Sequence, residues 1–133
     1  MDSELTKFMH DVMPFTAVLG AEAIAASKDE VCARVAWDAT RCTSAGLMHG
    51  GVLMALADSV GAWCAFLNLP PNASTTTIES KTNFLRAVRD GYVEATARPL
   101  HAGRTIVVVD TELRDAADKL VGRVTQTQAV LTP

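Results

Sequence analysis

The longest apolar stretch of this chain runs from Met48 to Leu67, opens with the triplet His49-Gly50-Gly51 and carries a single carboxylate, Asp58. A carboxylate in apolar surroundings is costly unless hydrogen bonds or a cleft hold its charge, so such groups gather at sites of proton transfer. Two roles suit it: general base on a water, or nucleophile. The glycine pair offers the complementary part. In the first turn of a helix the N–H groups have no intrahelical partner and the dipole is positive. Without a side chain in the way, a ligand carbonyl can approach those groups, which is the requirement for an oxyanion hole.

The spacing sets a constraint. Asp58 lies two turns beyond Gly50, roughly 12 Å along a helix axis. One acyl carbonyl cannot touch both on a straight helix. Either the helix start is distorted, or the site is shared between two copies of the chain.

The elements that must position these residues follow from the patterning. The stretch is apolar nearly all the way round, as a helix wrapped by other structure is, and is expected to be a buried central helix. Its length would also span a bilayer. Asp58 near the midpoint and the lack of Lys or Arg at either end argue against a membrane span.

Leu5, Phe8, Met9 and Val12 recur at helical spacing, which predicts a short amphipathic helix over residues 3 to 12, capped by Ser3 and ending before Pro14. His10 on it reads as a surface residue. Two strands, Gly20 to Ser27 and Val31 to Trp37, form a hairpin around Lys28-Asp29-Glu30, and a polar loop from Asp38 to Met48 leads into the central helix. Leu69-Pro70-Pro71-Asn72 stops that helix. Strands then follow over Ser74 to Leu85, Gly91 to Leu100, Arg104 to Arg114 and Lys119 to Leu131. This is an α+β order in which one antiparallel sheet must cover one long helix.

Composition narrows the function classes. A chain of 133 residues suits a single domain over 1–133 with one core. A net charge of −3 gives no footprint for nucleic acid. Cys32, Cys42 and Cys64 lack CxxC spacing and fit isolated thiols in a reducing cytosol. No basic and apolar leader opens the chain, so a cytoplasmic location is expected. No HExxH or clustered ligand pattern exists, and no metal or cofactor is required.

The pattern His49-Gly50-Gly51, a short apolar run and then Ala57-Asp58 resembles the signature of the hotdog-fold acyl-CoA thioesterases, in particular the phenylacetic-acid-degradation and 4-hydroxybenzoyl-CoA thioesterase type. The resemblance covers essentially the whole chain. It implies an antiparallel sheet wrapped around the long helix, dimers forming double hotdogs that pair further into tetramers, and sites at the dimer interface. That interface resolves the distance problem, since the acid and the oxyanion donor would come from different subunits.

What the resemblance implies can be carried onto residues. Asp58 would be base or nucleophile, the Gly50 N–H the oxyanion donor with Gly51 beside it, and His49 a hydrogen-bonding brace at the helix start. Thr77 aligns with a Ser or Thr that supports the attacking water in some relatives. Thr43 stands where relatives commonly carry Asn or Gln to orient the water or the thioester, a departure that removes the amide. Coenzyme A, as part of the substrate, brings phosphates for which guanidinium groups are the usual partners. Among Lys81, Arg86, Arg89, Arg98 and Arg104, the first expected are Arg86 and Arg104, then Arg89.

Three rivals stand beside this reading: a purely structural oligomeriser, which would have no use for the bare Gly50-Gly51 helix start, and two that share the fold. A hydratase or dehydratase would want an Asp and His pair flanking the acyl chain, which this spacing does not favour. A non-enzymatic acyl-CoA binder would keep the pocket and have no need of Asp58. The acyl group stays open between aryl and medium-chain types, with Trp63, Phe66 and Phe84 as candidate lining or plain core.

Overall fold

The apolar run beginning at Gly50 is one uninterrupted helix. In the computed structural model, which describes residues Met1 to Pro133, helices α1 (Ser3–Val12) and α2 (Phe15–Leu19) precede a hairpin of β1 (Ala21–Ala26) and β2 (Val31–Ala36). The long helix α3 (Gly50–Leu67) follows, then β3 (Ser74–Phe84), β4 (Tyr92–Ala102), β5 (Ile106–Asp115) and β6 (Leu120–Leu131).

The six strands make one antiparallel sheet in the order β1-β2-β4-β5-β6-β3. Helix α3 lies in its concave face, packed on β2 through β6. Period-two alternation gives each inner strand one core face: Val31, Ala33 and Val35 on β2, Val93, Ala95 and Ala97 on β4, Val107 and Val109 on β5. The alanines among them, fully buried in the same cluster as Leu56, Ala57 and Val60, let the helix axis lie close to the sheet. The opposite face is polar, with Arg34 paired to Glu94 at 2.7 Å and Arg123 to Asp110 at 2.9 Å. This is the hotdog arrangement.

The wrapping is incomplete on one side. Met54, Asp58 and Phe66 recur at helical spacing as an exposed stripe of α3, so the helix is not buried all the way round as its apolar composition suggests. Strand β3 bounds that stripe. It bonds only to β6 and leaves its other edge open, with Ile78 60% and Phe84 53% exposed.

The N-terminal region departs from the sequence reading in three places. The cap of α1 is Asp2, whose carboxylate accepts the Glu4 and Leu5 N–H groups, while Ser3 is already helical. Helix α1 ends at Val12, before Pro14 as its spacing predicts, but Pro14, at φ −53°, then opens a further short helix, α2, which the sequence reading does not contain. His10 is half-buried rather than a free surface residue: its Nε2–H donates to the Ala21 carbonyl at 2.7 Å and ties α1 to β1.

Candidate functional site

The start of α3 is held from several sides. The His49 N–H donates to the Arg41 carbonyl at 2.9 Å and the Met48 N–H to the Val88 carbonyl at 2.8 Å. The Arg41 guanidinium in turn reaches the Leu19 and Ala36 carbonyls. The polar loop before the helix is therefore pinned to α2, β2 and the segment ahead of β4.

His49 itself caps the helix. Its Nδ1 accepts the Gly51 N–H at 2.8 Å, so the neutral ring carries its proton on Nε2. A Cβ on residue 51 would lie 2.8 Å from that Nδ1, and glycine is what lets the ring fold back. Gly51 is consequently not the open ligand donor expected from the sequence, because its N–H is already spent. Gly50 differs. As the first helical residue its N–H has no intrahelical acceptor, and no other group accepts it. The Phe84 ring lies against its Cα, 3.1 Å from where a Cβ would be.

Around Gly50 a groove of about 380 Å³ is lined by Thr43, Leu47, Met48, Leu53, Phe84 and Arg86. A second, polar groove of about 410 Å³ shares residues 86 to 88 with it and adds Arg89, Asp90 and Asp115. The two grooves meet at residues 86 to 88, one bordering the open N–H and the other bordering Arg86 and Arg89. Neither Arg86 nor Arg89 has a carboxylate partner, whereas Arg98 is paired with Glu30 at 2.6 Å. Arg104 does not join them within a protomer. It lies in the β4–β5 turn, while Asp115 pairs with Val93 at the other end of the same two strands, roughly 30 Å away.

Asp58 forms a separate cluster on the open stripe. Its Oδ1 accepts the Gln126 Nε2–H at 2.8 Å and the Thr77 hydroxyl at 3.4 Å; its Oδ2 has no partner. Gln128 Nε2 donates to the Thr77 hydroxyl oxygen at 2.7 Å, and the Thr75 hydroxyl lies 3.0 Å from Gln128 Oε1. A bulge in β3 between Thr77 and Glu79 interrupts the pairing beside this cluster. The glutamines escape notice in the sequence because each lies far along the chain from the group it serves. The available signal is that they follow Val124 at every second residue, polar side chains on the core face of a strand.

The chain thus holds two separate clusters. Thr43, Gly50, Arg86 and Arg89 line the two adjoining grooves; Asp58 and Thr77 share another place, and the regular helix between them keeps Gly50 and Asp58 roughly 12 Å apart along its axis. A third hollow, about 530 Å³ and mainly apolar, lies one turn beyond Asp58 between α1 and α3, with Phe8, Val12, Met13, Trp63, Phe66 and Thr75 on its walls. Trp63 is buried against Phe8, with ring centroids 5.7 Å apart, so it serves core and wall together.

Residues 45–122 match the profile of the Thioesterase superfamily. Over 77% of its length the chain is 35% identical to a candidate esterase of Haemophilus influenzae, covering 74% of that protein. It is 31% identical to the 1,4-dihydroxy-2-naphthoyl-CoA hydrolase of Escherichia coli, over 65% of this chain and 63% of that enzyme. Among solved structures, a thioesterase from Haemophilus influenzae superposes with a TM-score of 0.89 at 29% identity, covering 99% of this chain and 92% of that one. A mutant thioesterase from Pseudomonas aeruginosa gives 0.88 at 29% identity, covering 98% and 94%.

Proposed function

Since the chain belongs to the thioesterase superfamily and has the hotdog fold, we propose that this thioester hydrolase cleaves acyl-CoA thioesters to the free acid and coenzyme A, in sites built jointly by two copies of the chain. The His49-Gly50-Gly51 and Asp58 pattern favours the phenylacetic-acid-degradation or 4-hydroxybenzoyl-CoA type within the superfamily. The E. coli relative, by its name a hydrolase of a CoA thioester, supports the CoA arm.

The single observation that carries the reading is the complementarity of the two clusters. One has an N–H without an acceptor, the other a carboxylate oxygen without a donor, and a straight helix forbids them from meeting within one chain. A two-fold dimer formed through the open edge of β3 and the Met54, Asp58 and Phe66 stripe brings each to the other and covers the exposed Ile78. Further pairing of such dimers into tetramers belongs to the same proposal. The unpaired Cys32, Cys42 and Cys64 agree with a cytoplasmic setting.

In the proposed reaction the thioester carbonyl points its oxygen at the Gly50 N–H of one subunit, which stabilises the oxyanion as it forms. Asp58 of the other subunit takes the proton of a water attacking the carbonyl carbon; the C–S bond breaks and the departing thiolate receives the proton. In the nucleophilic variant Oδ2 attacks first, the thiolate leaves, and water hydrolyses the mixed anhydride. Thr77 and Thr43 offer hydroxyls on either side, and Arg86 and Arg89 take the phosphates of coenzyme A.

Release of free thiol from a panel of aryl and medium-chain acyl-CoAs tests this, comparing the parent chain with Asp58→Asn. Turnover should fall by about 10²- to 10⁴-fold, the usual range for an acid–base group, while binding of the CoA ester persists. Unchanged turnover would remove Asp58 from the mechanism and favour the binding-protein reading.

A further inference from the structure

Strand β6 buries two amides where its alternation calls for apolar side chains. Gln126 is 0% and Gln128 1% exposed. An amide taken out of water is costly wherever its hydrogen bonds are not replaced. Gln126 accepts that cost, because its Oε1 is buried with no partner at all. Only its Nε2 is engaged, with Asp58 Oδ1 at 2.8 Å and, more distantly, with the Thr77 hydroxyl oxygen at 3.4 Å.

The helix is shaped to allow it. A Cβ on residue 61 would stand 1.9 Å from Gln126 Oε1, so glycine at that place in α3 is a condition for the amide to lie where it does. The orientation of the amide is fixed as well, since a carboxylate can face only the NH₂ end. A side chain that were merely filling core would be better replaced by a methionine or leucine. This one is kept at the expense of an orphaned oxygen.

We infer that Gln126, seated against Gly61, is a positioning residue for Asp58: it holds Oδ1 so that Oδ2 is the oxygen turned toward the substrate. A second arm supports the first. The Thr75 hydroxyl lies against Gln128 Oε1, Gln128 Nε2 donates to Thr77, and the Thr77 hydroxyl is left to donate its one hydrogen to the same Oδ1. Both donors that reach the carboxylate, Gln126 Nε2 and the Thr77 hydroxyl, meet Oδ1, and none meets Oδ2. The inference rests on the thioester-hydrolase reading of Asp58 above, and adds that the acid works only when β6 aims it.

The test is steady-state kinetics with acyl-CoA substrates on Gln126→Met, together with its melting temperature and a cycle with Gly61→Ala. Methionine keeps the volume and removes the donor, so kcat should fall about 10- to 100-fold, the worth of one hydrogen bond to a charged group. KM should stay within about twofold and the melting temperature should hold or rise, because an orphaned buried oxygen has been removed. Gly61→Ala, which expels the same amide by a steric route, should give the same kcat loss, and the double variant should lose nothing more than either alone. An unchanged kcat in folded Gln126→Met, or additive losses in the double variant, would overturn the positioning role while leaving the hydrolase reading intact. Failure of both single variants to fold would make the amide a structural part and overturn it likewise. Absence of thioester cleavage by the parent chain would instead strike the reading beneath it.

Discussion

His49 Nδ1 takes the Gly51 N–H at 2.8 Å and thereby leaves the N–H of Gly50 as the open donor at the head of α3. Adjacent glycines in one motif thus differ: Gly51 makes room for an imidazole, while Gly50 keeps the open N–H that the proposed mechanism uses. The difference can be tested because the first helical position tolerates proline. His49, at φ −62° and ψ 134°, already has the extended conformation that a residue before proline requires. Gly50→Pro should therefore keep the fold, with the exposed Phe84 ring giving way, and delete the donor. A loss of about 10²- to 10³-fold in kcat is expected from removing one oxyanion-hole donor. Full activity in a folded Gly50→Pro enzyme would place the oxyanion elsewhere.

The groove beside Gly50 adjoins one bordered by two guanidinium groups free of carboxylate partners. Arg86→Ala and Arg89→Ala should each raise KM for acyl-CoA by about tenfold, with kcat little changed, since a charge-assisted contact to phosphate is lost remote from the reacting carbon. A thioester built on pantetheine without the nucleotide should show no such rise. If its KM rises equally, the arginines shape the groove and do not read phosphate.

Much of this architecture was legible because the forces that set it are local. Helical spacing, an apolar run of helical length and period-two alternation bounded by turn residues gave α1, α3 and the six strands to within two residues at the strand ends, and missed the short α2. What escaped is non-local. Asp58 and Gln126 are 68 residues apart in sequence and 2.8 Å apart in space, and no periodicity signals such a pair. The open stripe on α3 escaped for a related reason. Composition reports that a helix is apolar, and the cover over Met54 and Phe66 is what it cannot supply. Arg104 is close in sequence to the other basic residues but lies at the far end of β4 and β5 from Arg86 and Arg89 within one chain.

Burial pushes the thiols of Cys32 and Cys64 up to about 11 from an ordinary 9.0, with the Thr96 hydroxyl opposing the shift at Cys32. An unfolded chain releases these protons as pH passes 9.0, while the folded chain retains them to about 11. Between those values the folded state binds more protons, so stability falls as pH rises; below that window the contribution is present in full. Thermal melts from pH 8 upward should show this decline, and the Cys32→Ala, Cys64→Ala double variant should show less of it. A thiol reagent near neutrality should modify Cys42 and spare the other two. Equal alkaline loss in the double variant would assign the effect to other groups.

The proposed intersubunit site makes its strongest prediction for mixtures of inactive chains. Asp58→Asn retains the Gly50 N–H, and Gly50→Pro retains Asp58; alone, each homodimer lacks one half of both sites. In a mixed dimer the intact Gly50 of one chain meets the intact Asp58 of the other, rebuilding one site and doubly disabling the second. Equal mixing with free exchange puts half the dimers in that form, so the mixture should recover about a quarter of the parent activity. If the helix start and the acid instead worked within one chain, every site would lack one of them and mixing would restore nothing. Thiol release measured before and after subunit exchange separates the two. An outcome at background, with exchange verified by differently tagged chains, would rule out the intersubunit site.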